Sequence, residues 1–282
     1  MNRLRRWTSR ARNAWRYARL AVWNRISWRS VLGDGPVVSL TTYGPRRRTA
    51  YRAIESIGLG MLRPSRLVLV LTEADASEIP PSLRRLERRG LEILRVPEDL
   101  GPHKKYYPLV TADPPPPAVV TADDDIYYER SWLALLARAA QDNPDIVHCH
   151  RAWFIGLDED GMTAYITWQP APGGVASHRL LITGGAGALY TQAAITALRE
   201  AGDGFKLVAP RTDDIWISHT LFRAGIRAAR LRTPFRHVPL QASRLDPAAL
   251  ARENRLGGGN DRTLAALYTP ADIAALRTEP DI

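Results

Sequence analysis

Four short runs of aliphatic and β-branched residues punctuate the first 125 positions: Val37–Thr41, Arg66–Leu71, Leu91–Val96 and the stretch opening at Val119. Each is too short for a buried helix and lacks the strict alternation of a half-exposed strand. Continuous apolar runs of this length are the mark of strands covered on both faces. Helical stretches around Thr49–Ile57 and Ser82–Arg89, the latter ending at Gly90, separate the first three. Strands alternating with helices imply an α/β protein with a mostly parallel central sheet flanked by helices.

The fourth run ends abruptly in Asp123-Asp124-Asp125. Adjacent carboxylates repel by about 1 kcal/mol per close pair in water, and by more when partly buried. A divalent cation offsets that repulsion, because hard ions such as Mg²⁺ or Mn²⁺ take oxygen ligands and share them with phosphates. In an open α/β sheet, ligands bind just beyond the carboxyl ends of strands, where this cluster falls. A solvated acidic turn, or an Asp cap for the helix starting near Ser131, is the structural alternative.

The net charge of +10 is concentrated in one place. Residues 1–33 hold nine Arg and no acid, so the remainder is nearly neutral. Trp7, Ala11, Trp15, Ala18 and Val22 recur at helical spacing, with Leu4 and Ile26 extending the stripe. A basic amphipathic helix of this kind fits an anionic membrane surface contacted through residues 1–30. A helix docked on the body is the second reading, and a nucleic-acid arm the least favoured. The single Cys149 excludes a disulfide framework and suits a reducing, cytoplasmic location, peripheral on the inner face of the membrane. No apolar run reaches the roughly 18–20 residues that span a bilayer.

Three divisions follow: a basic arm over 1–34, a main domain over 35–262, and a tail over 263–282. Within the main domain a helix is expected over Ser131–Gln141 and a strand over Ile146–His150. Residues 156–182 read as a variable, substrate-facing segment. Gly184, Gly185 and Gly187 precede a helix near Thr191, either letting a ligand approach the backbone or forming a simple turn. Asp213-Asp214 opens a further helix, where acids complement the helix dipole. Gly257–Gly259 suggests flexibility, and Pro270–Arg277 a short helix. His148 and His150 read as structural, and Trp168 as either a core residue or a sugar platform.

The phrases Val-Ser-Leu-Thr-Thr-Tyr (38–43), Asp-Leu-Gly-Pro-His-Lys-Lys (99–105), Thr-Ala-Asp-Asp-Asp-Ile (121–126), His-Arg-Ala (150–152) and Thr-Asp-Asp-Ile-Trp (212–216) occur in one order. Together with Gly-Gly-Asn-Asp (258–261), they resemble nucleotide-sugar glycosyltransferases of GT-A (Rossmann-like) fold. The likeness is to a bacterial family-2-like group associated with surface polysaccharide synthesis, over roughly 36–262.

That resemblance implies a nucleoside-diphosphate-sugar donor, a UDP-sugar foremost, with Mn²⁺ or Mg²⁺ on its diphosphate and a glycan or lipid-linked acceptor. It implies Asp125 as the direct metal ligand, Asp123 as a second ligand toward the nucleotide, and His237 as a third. Thr41, Thr42, Tyr43, Asp99 (or Glu73), Lys104, Lys105, Asp124 and Gly185 would line the donor pocket. Arg48 or Arg47 would meet phosphate, and Arg151 substrate. Asp214, with Asp213 as runner-up, would be the base of an inverting transfer; the family more often has Glu at the first position. A nucleotidyltransferase, or a non-catalytic membrane- or nucleic-acid-binding protein with a degenerate fold, is the alternative.

Overall fold

The structure, a computed structural model, describes residues 2–234, 236, 238–240 and 250–280, with the backbone alone for 2–12 and 250–252. Its central element is an eight-stranded sheet. Strands β1 (Val37–Thr41), β2 (Leu67–Thr72), β3 (Leu91–Val96) and β4 (Val119–Asp123) are mutually parallel, β1 lying between β2 and β4. All six residues of β2 are buried, as expected of a strand covered on both faces. The first half of the sheet therefore stands where the apolar runs lie.

Beyond β4 the order is less regular. Strand Ala188–Tyr190 runs antiparallel between β4 and Val147–Cys149, and Ala228–Arg230 pairs parallel with the latter. Ala176–Ser177 closes that edge antiparallel. The Ala188–Tyr190 strand, which the sequence did not announce, lies between the glycines and the helix, which begins at Gln192 with Thr191 as its cap residue, as expected. Three residues are too few for a period-two signal to declare itself.

Register fixes where chemistry can occur. Thr41 pairs with Asp123 across β1 and β4, so both strands finish on one edge. Ala188 pairs with Thr121, so the reversed strand begins at that same edge and delivers Gly184–Gly187 beside Asp123.

The arm is a helix, α1 (Asn2–Ile26), packed on α2 (Arg47–Gly58) and on the helix Pro81–Glu87. Its docking face differs from the expected Trp stripe. Leu20 and Asn24 are buried, with Tyr17 and Ala21 packed beside them. The Asn24 side-chain amide donates to Glu55 Oε1 at 2.8 Å and to the Ser82 carbonyl, and its oxygen accepts from Arg85. Glu55 is fully buried against the Arg89 guanidinium at 2.6 and 2.9 Å. Arg89 also donates to the Arg29 carbonyl, fastening the chain after α1. Among the described residues no helix is long and apolar enough to cross a membrane.

The 156–182 segment and the C-terminal helices share a small core of their own. Ile155, Tyr165, Trp168 and Leu181 pack with Leu264, Tyr268 and Leu276. Trp168 is buried and donates its ring N–H to the Thr163 carbonyl, which fixes it as a core residue rather than an open sugar platform. The Gly257–Gly259 stretch is an ordered turn between helices Leu250–Leu256 and Gly259–Leu267, with Gly258 at φ +68°. Cys149 is buried, and that burial pushes its thiol up to about 12.

Candidate active site

Asp123, the last residue of β4, is held from three sides. Its backbone N–H donates to the Tyr128 hydroxyl at 2.7 Å, and that hydroxyl donates onward to the Gly185 carbonyl at 2.6 Å. Its carboxylate accepts from Lys105 Nζ at 3.1 Å. A Cβ on Gly185 would stand 1.8 Å from Asp123 Oδ2, so the glycine backbone occupies space that no other residue leaves free. Burial raises the Asp123 pKa, but Lys105, Arg46 and Arg151 together hold it below the ordinary carboxylate range.

Asp124 and Asp125 turn toward the end of β1. Asp124 is buried, accepts from the Thr42 hydroxyl and pairs with the Arg46 guanidinium through both oxygens. Arg46 also reaches Asp125 Oδ2 at 2.9 Å and lies over the Tyr43 ring at 5.3 Å. Burial lifts Asp124 above its usual value. Burial and the charges of Asp123 and Asp124 lift Asp125 to about 7, against the pull of Arg46.

The second acidic pair arrives on the helix Asp213–Arg223. Asp213 is buried, 2.9 Å from Lys105 Nζ, so one ammonium bridges the two acidic segments. Desolvation works against the Lys105 charge, yet Asp123, Asp213 and Asp214 hold its pKa well above the ordinary lysine value. Asp214 is half-buried and accepts from the Gly184 N–H at 2.8 Å. Burial first, then the neighbouring Asp213 charge, raises Asp214 to about 7.

Other expected residues fall into two groups. The Thr41 hydroxyl is engaged by the Val70 carbonyl on β2, and Lys104 is buried in a pair with Asp99, whose carboxylate also accepts from the Gly101 N–H. Arg47 braces Gly44, Asp75 and Glu78, while Arg48 is exposed on the wall of a groove beside α1. Glu73 opens the helix Glu73–Ala76 at the end of β2. Arg151 donates to the Thr183 hydroxyl at 2.7 Å. His148 and His150 bond backbone carbonyls of Asn143 and Trp132, as structural histidines do. His237 lies outside the described residues.

Sequence reasoning passed over Arg46 and Tyr128. The short turn Gly44–Arg46 aims the arginine before the two named candidates at the acids, and no spacing rule distinguishes three consecutive arginines. Tyr128 follows the acidic triplet by three residues, and only the chain reversal brings its hydroxyl back to Asp123.

Five carboxylates (Asp123, Asp124, Asp125, Asp213 and Asp214) thus face Arg46, Lys105 and Arg151, leaving two negative charges. Burial first, and then the neighbouring carboxylates, raise two of the five, Asp125 and Asp214, to about 7. Among the described residues no three side chains are already gathered as metal ligands. An all-oxygen donor set with two surplus charges nonetheless fits a hard divalent cation.

No protein-family profile matches the chain, and no curated protein does. Solved structures do. The chain is similar to the mannosyltransferase PcManGT of Pyrobaculum calidifontis, a structure holding GDP-Man and Mn²⁺, at 15% identity and a TM-score of 0.53. That match covers 96% of this chain and 77% of that one. Weaker likenesses are to S. aureus TarS residues 1–349 (13% identity, TM-score 0.47, 72% of this chain and 59% of that one). A CMP:2-keto-3-deoxy-manno-octonic acid synthetase with CTP also matches (11% identity, TM-score 0.46, 83% and 99%). The first of these establishes the fold as GT-A-like, a Rossmann-like sheet flanked by helices.

Proposed function

We propose that the protein is a metal-dependent glycosyltransferase moving a sugar from a nucleoside-diphosphate donor to a hydroxyl of a glycan or lipid-linked acceptor, with inversion. The observation that carries this reading is the meeting of Asp123 and the Asp213-Asp214 pair around Lys105, with Gly184 and Gly185 pressed against both. Two acidic segments from distant parts of the sequence meet at one edge of the sheet beside the glycine backbone, where the sugar of a donor would lie. The mannosyltransferase that shares the fold binds GDP-Man with Mn²⁺, which agrees with this use of the site.

Asp125 and Asp123 would hold the cation, Mn²⁺ or Mg²⁺, which when bound acts as a Lewis acid toward the donor diphosphate. The chain's own groups do the rest. Arg46 fixes Asp124 and Asp125 and sets the end of β1, where Thr42 and Tyr43 face the nucleotide. Lys105 holds the two acidic segments together and adds positive charge near the departing phosphates. Asp214, half-buried and raised to about 7, removes the acceptor hydroxyl's proton as its oxygen bonds to the anomeric carbon. The bond from that carbon to the phosphate oxygen breaks, and the nucleoside diphosphate leaves with the electron pair.

The test is a thermal-shift panel of nucleotide sugars, UDP-sugars first, with and without Mn²⁺, followed by product analysis. Stabilisation that needs both donor and metal supports the reading. Release of pyrophosphate in place of a nucleoside diphosphate would show a nucleotidyltransferase, and absence of any metal-dependent donor binding a non-catalytic protein.

A further inference from the structure

Helix α1 has two faces with opposite surroundings. At about 100° per residue, Tyr17, Leu20, Ala21 and Asn24 share the side pressed on the body. Trp15, Val22 and Ile26 lie within about 40° of one another on the far side. They are 62%, 53% and 63% exposed, and Trp28, just beyond the helix end, is 92% exposed. Isolated exposed apolar residues are ordinary on a protein surface, but an aligned row is not.

The charge around that row has one sign. Arg19, Arg25 and Arg29 are exposed, within an arm holding nine arginines and no acid. Along one flank of α1 runs a groove of about 670 Å³. Arg25, Arg47, Arg48 and Arg85 stand on its walls, with Glu78 the one acid among its lining residues. Arg47 and Arg85 are tied to neighbouring protein groups, whereas Arg25 and Arg48 are exposed at its rim.

We propose that this face of α1, with the groove beside it, docks the protein on an anionic lipid surface. Trp15, Val22, Ile26 and Trp28 enter the boundary between headgroups and acyl chains, and Arg25 and Arg48 meet lipid phosphates. Nucleic acid would satisfy the arginines but leave the apolar row in water. A second copy of the chain would cover the row but set one arginine-rich face against another. A lipid surface satisfies both features.

The placement also concerns the site. Tyr17 donates to the Pro239 carbonyl at 2.8 Å, Arg19 to the Tyr127 hydroxyl, and Arg16 lies over the Tyr127 ring. Tyr127 follows Asp125 by two residues, and the groove wall includes Gly44, which follows Tyr43. The docked edge therefore borders the loops that carry the acids. Its use in presenting a lipid-linked acceptor rests on the transferase reading; lipid binding itself does not.

Co-sedimentation decides the matter, using phosphatidylcholine vesicles with and without about 30% phosphatidylglycerol at about 0.1 M salt. The full chain is expected to bind only the anionic vesicles. Trp15→Ser/Val22→Ser/Ile26→Ser and, separately, Arg25→Glu/Arg29→Glu should each weaken binding about tenfold or more. Both variants alter exposed residues, so unchanged melting and unchanged metal-dependent donor binding without vesicles exclude misfolding. The inference is overturned if the full chain ignores anionic vesicles, binds neutral ones equally, or survives both variants. It is also overturned by a dimer that the triple variant abolishes, or by tighter binding to duplex DNA that only charge reversal weakens. Vesicle binding without donor binding would sink the transferase reading alone.

Discussion

Lys105 Nζ lies 2.9 Å from Asp213 Oδ2, joining the start of one helix to a lysine that already reaches the end of β4. That bridge spans more than a hundred residues of sequence and makes the two acidic segments one electrostatic unit. Lys105 lowers the pKa of Asp214 against burial and the Asp213 charge. Lys105→Met should therefore move the acid limb of the kcat profile upward from about 7. It also leaves buried Asp213 unpaired, at an expected cost of about 3 kcal/mol in unfolding free energy. An unshifted limb in a folded variant would remove Lys105 from the electrostatics of the base.

Asp214→Asn keeps the side-chain shape and the acceptor for the Gly184 N–H. A loss of about 10²–10⁴ in kcat is expected, with donor binding by thermal shift unchanged. In the wild type, activity should rise as pH passes through about 7, because the base works deprotonated. Full activity in this variant would assign the proton transfer elsewhere.

Asp125 titrates near 7 in the folded chain, above its value of about 3.9 when unfolded. The fold then binds the proton more tightly, so this group's effect on stability worsens as pH rises from about 4 to 7. Asp125→Asn removes that penalty. Without metal it should melt about 2–6 °C higher than wild type at pH 8, with the difference vanishing near pH 4. Mn²⁺ should stabilise the wild type more at pH 8 than at pH 5, and the variant hardly at all. Equal Mn²⁺ shifts in both proteins would take Asp125 out of the metal site.

Gly185→Ala introduces a methyl where Asp123 Oδ2 stands. The carboxylate must move, since the obstructing atom sits on a side chain fastened by Lys105. Metal-dependent donor stabilisation should fall at least about tenfold while the protein still folds. Gly185 is not among the positive-φ glycines, so this substitution brings the collision without backbone strain.

Asn24→Ala removes the amide that links α1 to Glu55, Ser82 and Arg85. A loss of about 1–3 kcal/mol is expected, with faster amide exchange along α1 than across β2. Uniform exchange in both would show that the helix is not separately fastened.

The first half of the fold was legible because β1 to β4 are continuous apolar runs with turn residues between them. The β3 span Leu91–Val96 and the helix Pro270–Arg277 coincide with their sequence expectations. In the second half the helices Trp132–Asp142 and Asp213–Arg223 and the strand Val147–Cys149 fall where the sequence placed them. Ala188–Tyr190 and Ala228–Arg230 were not legible, because they are three-residue strands whose placement depends on neighbours far along the chain. In the site, the acids were visible as local clusters. Their wiring was not: three adjacent arginines look alike until a turn selects Arg46, and Lys104 and Lys105 look alike until one pairs with Asp99 and the other with Asp123 and Asp213. The arm misled in a different way. Its described stripe residues, Trp15, Ala18, Val22 and Ile26, are exposed, and Asn24, a polar residue, makes the contacts that seat the helix.

The Tyr128 hydroxyl accepts from Asp123 and donates to Gly185, so two hydrogen bonds through one oxygen set the gap between β4 and the glycine loop. Such a gap behaves as a fixed gauge. The two bonds hold the strand end and the glycine loop at one separation while the phenol stays. Changes in this edge of the sheet must then pass through Tyr128 itself before they can alter how Asp123 and Gly185 stand to one another.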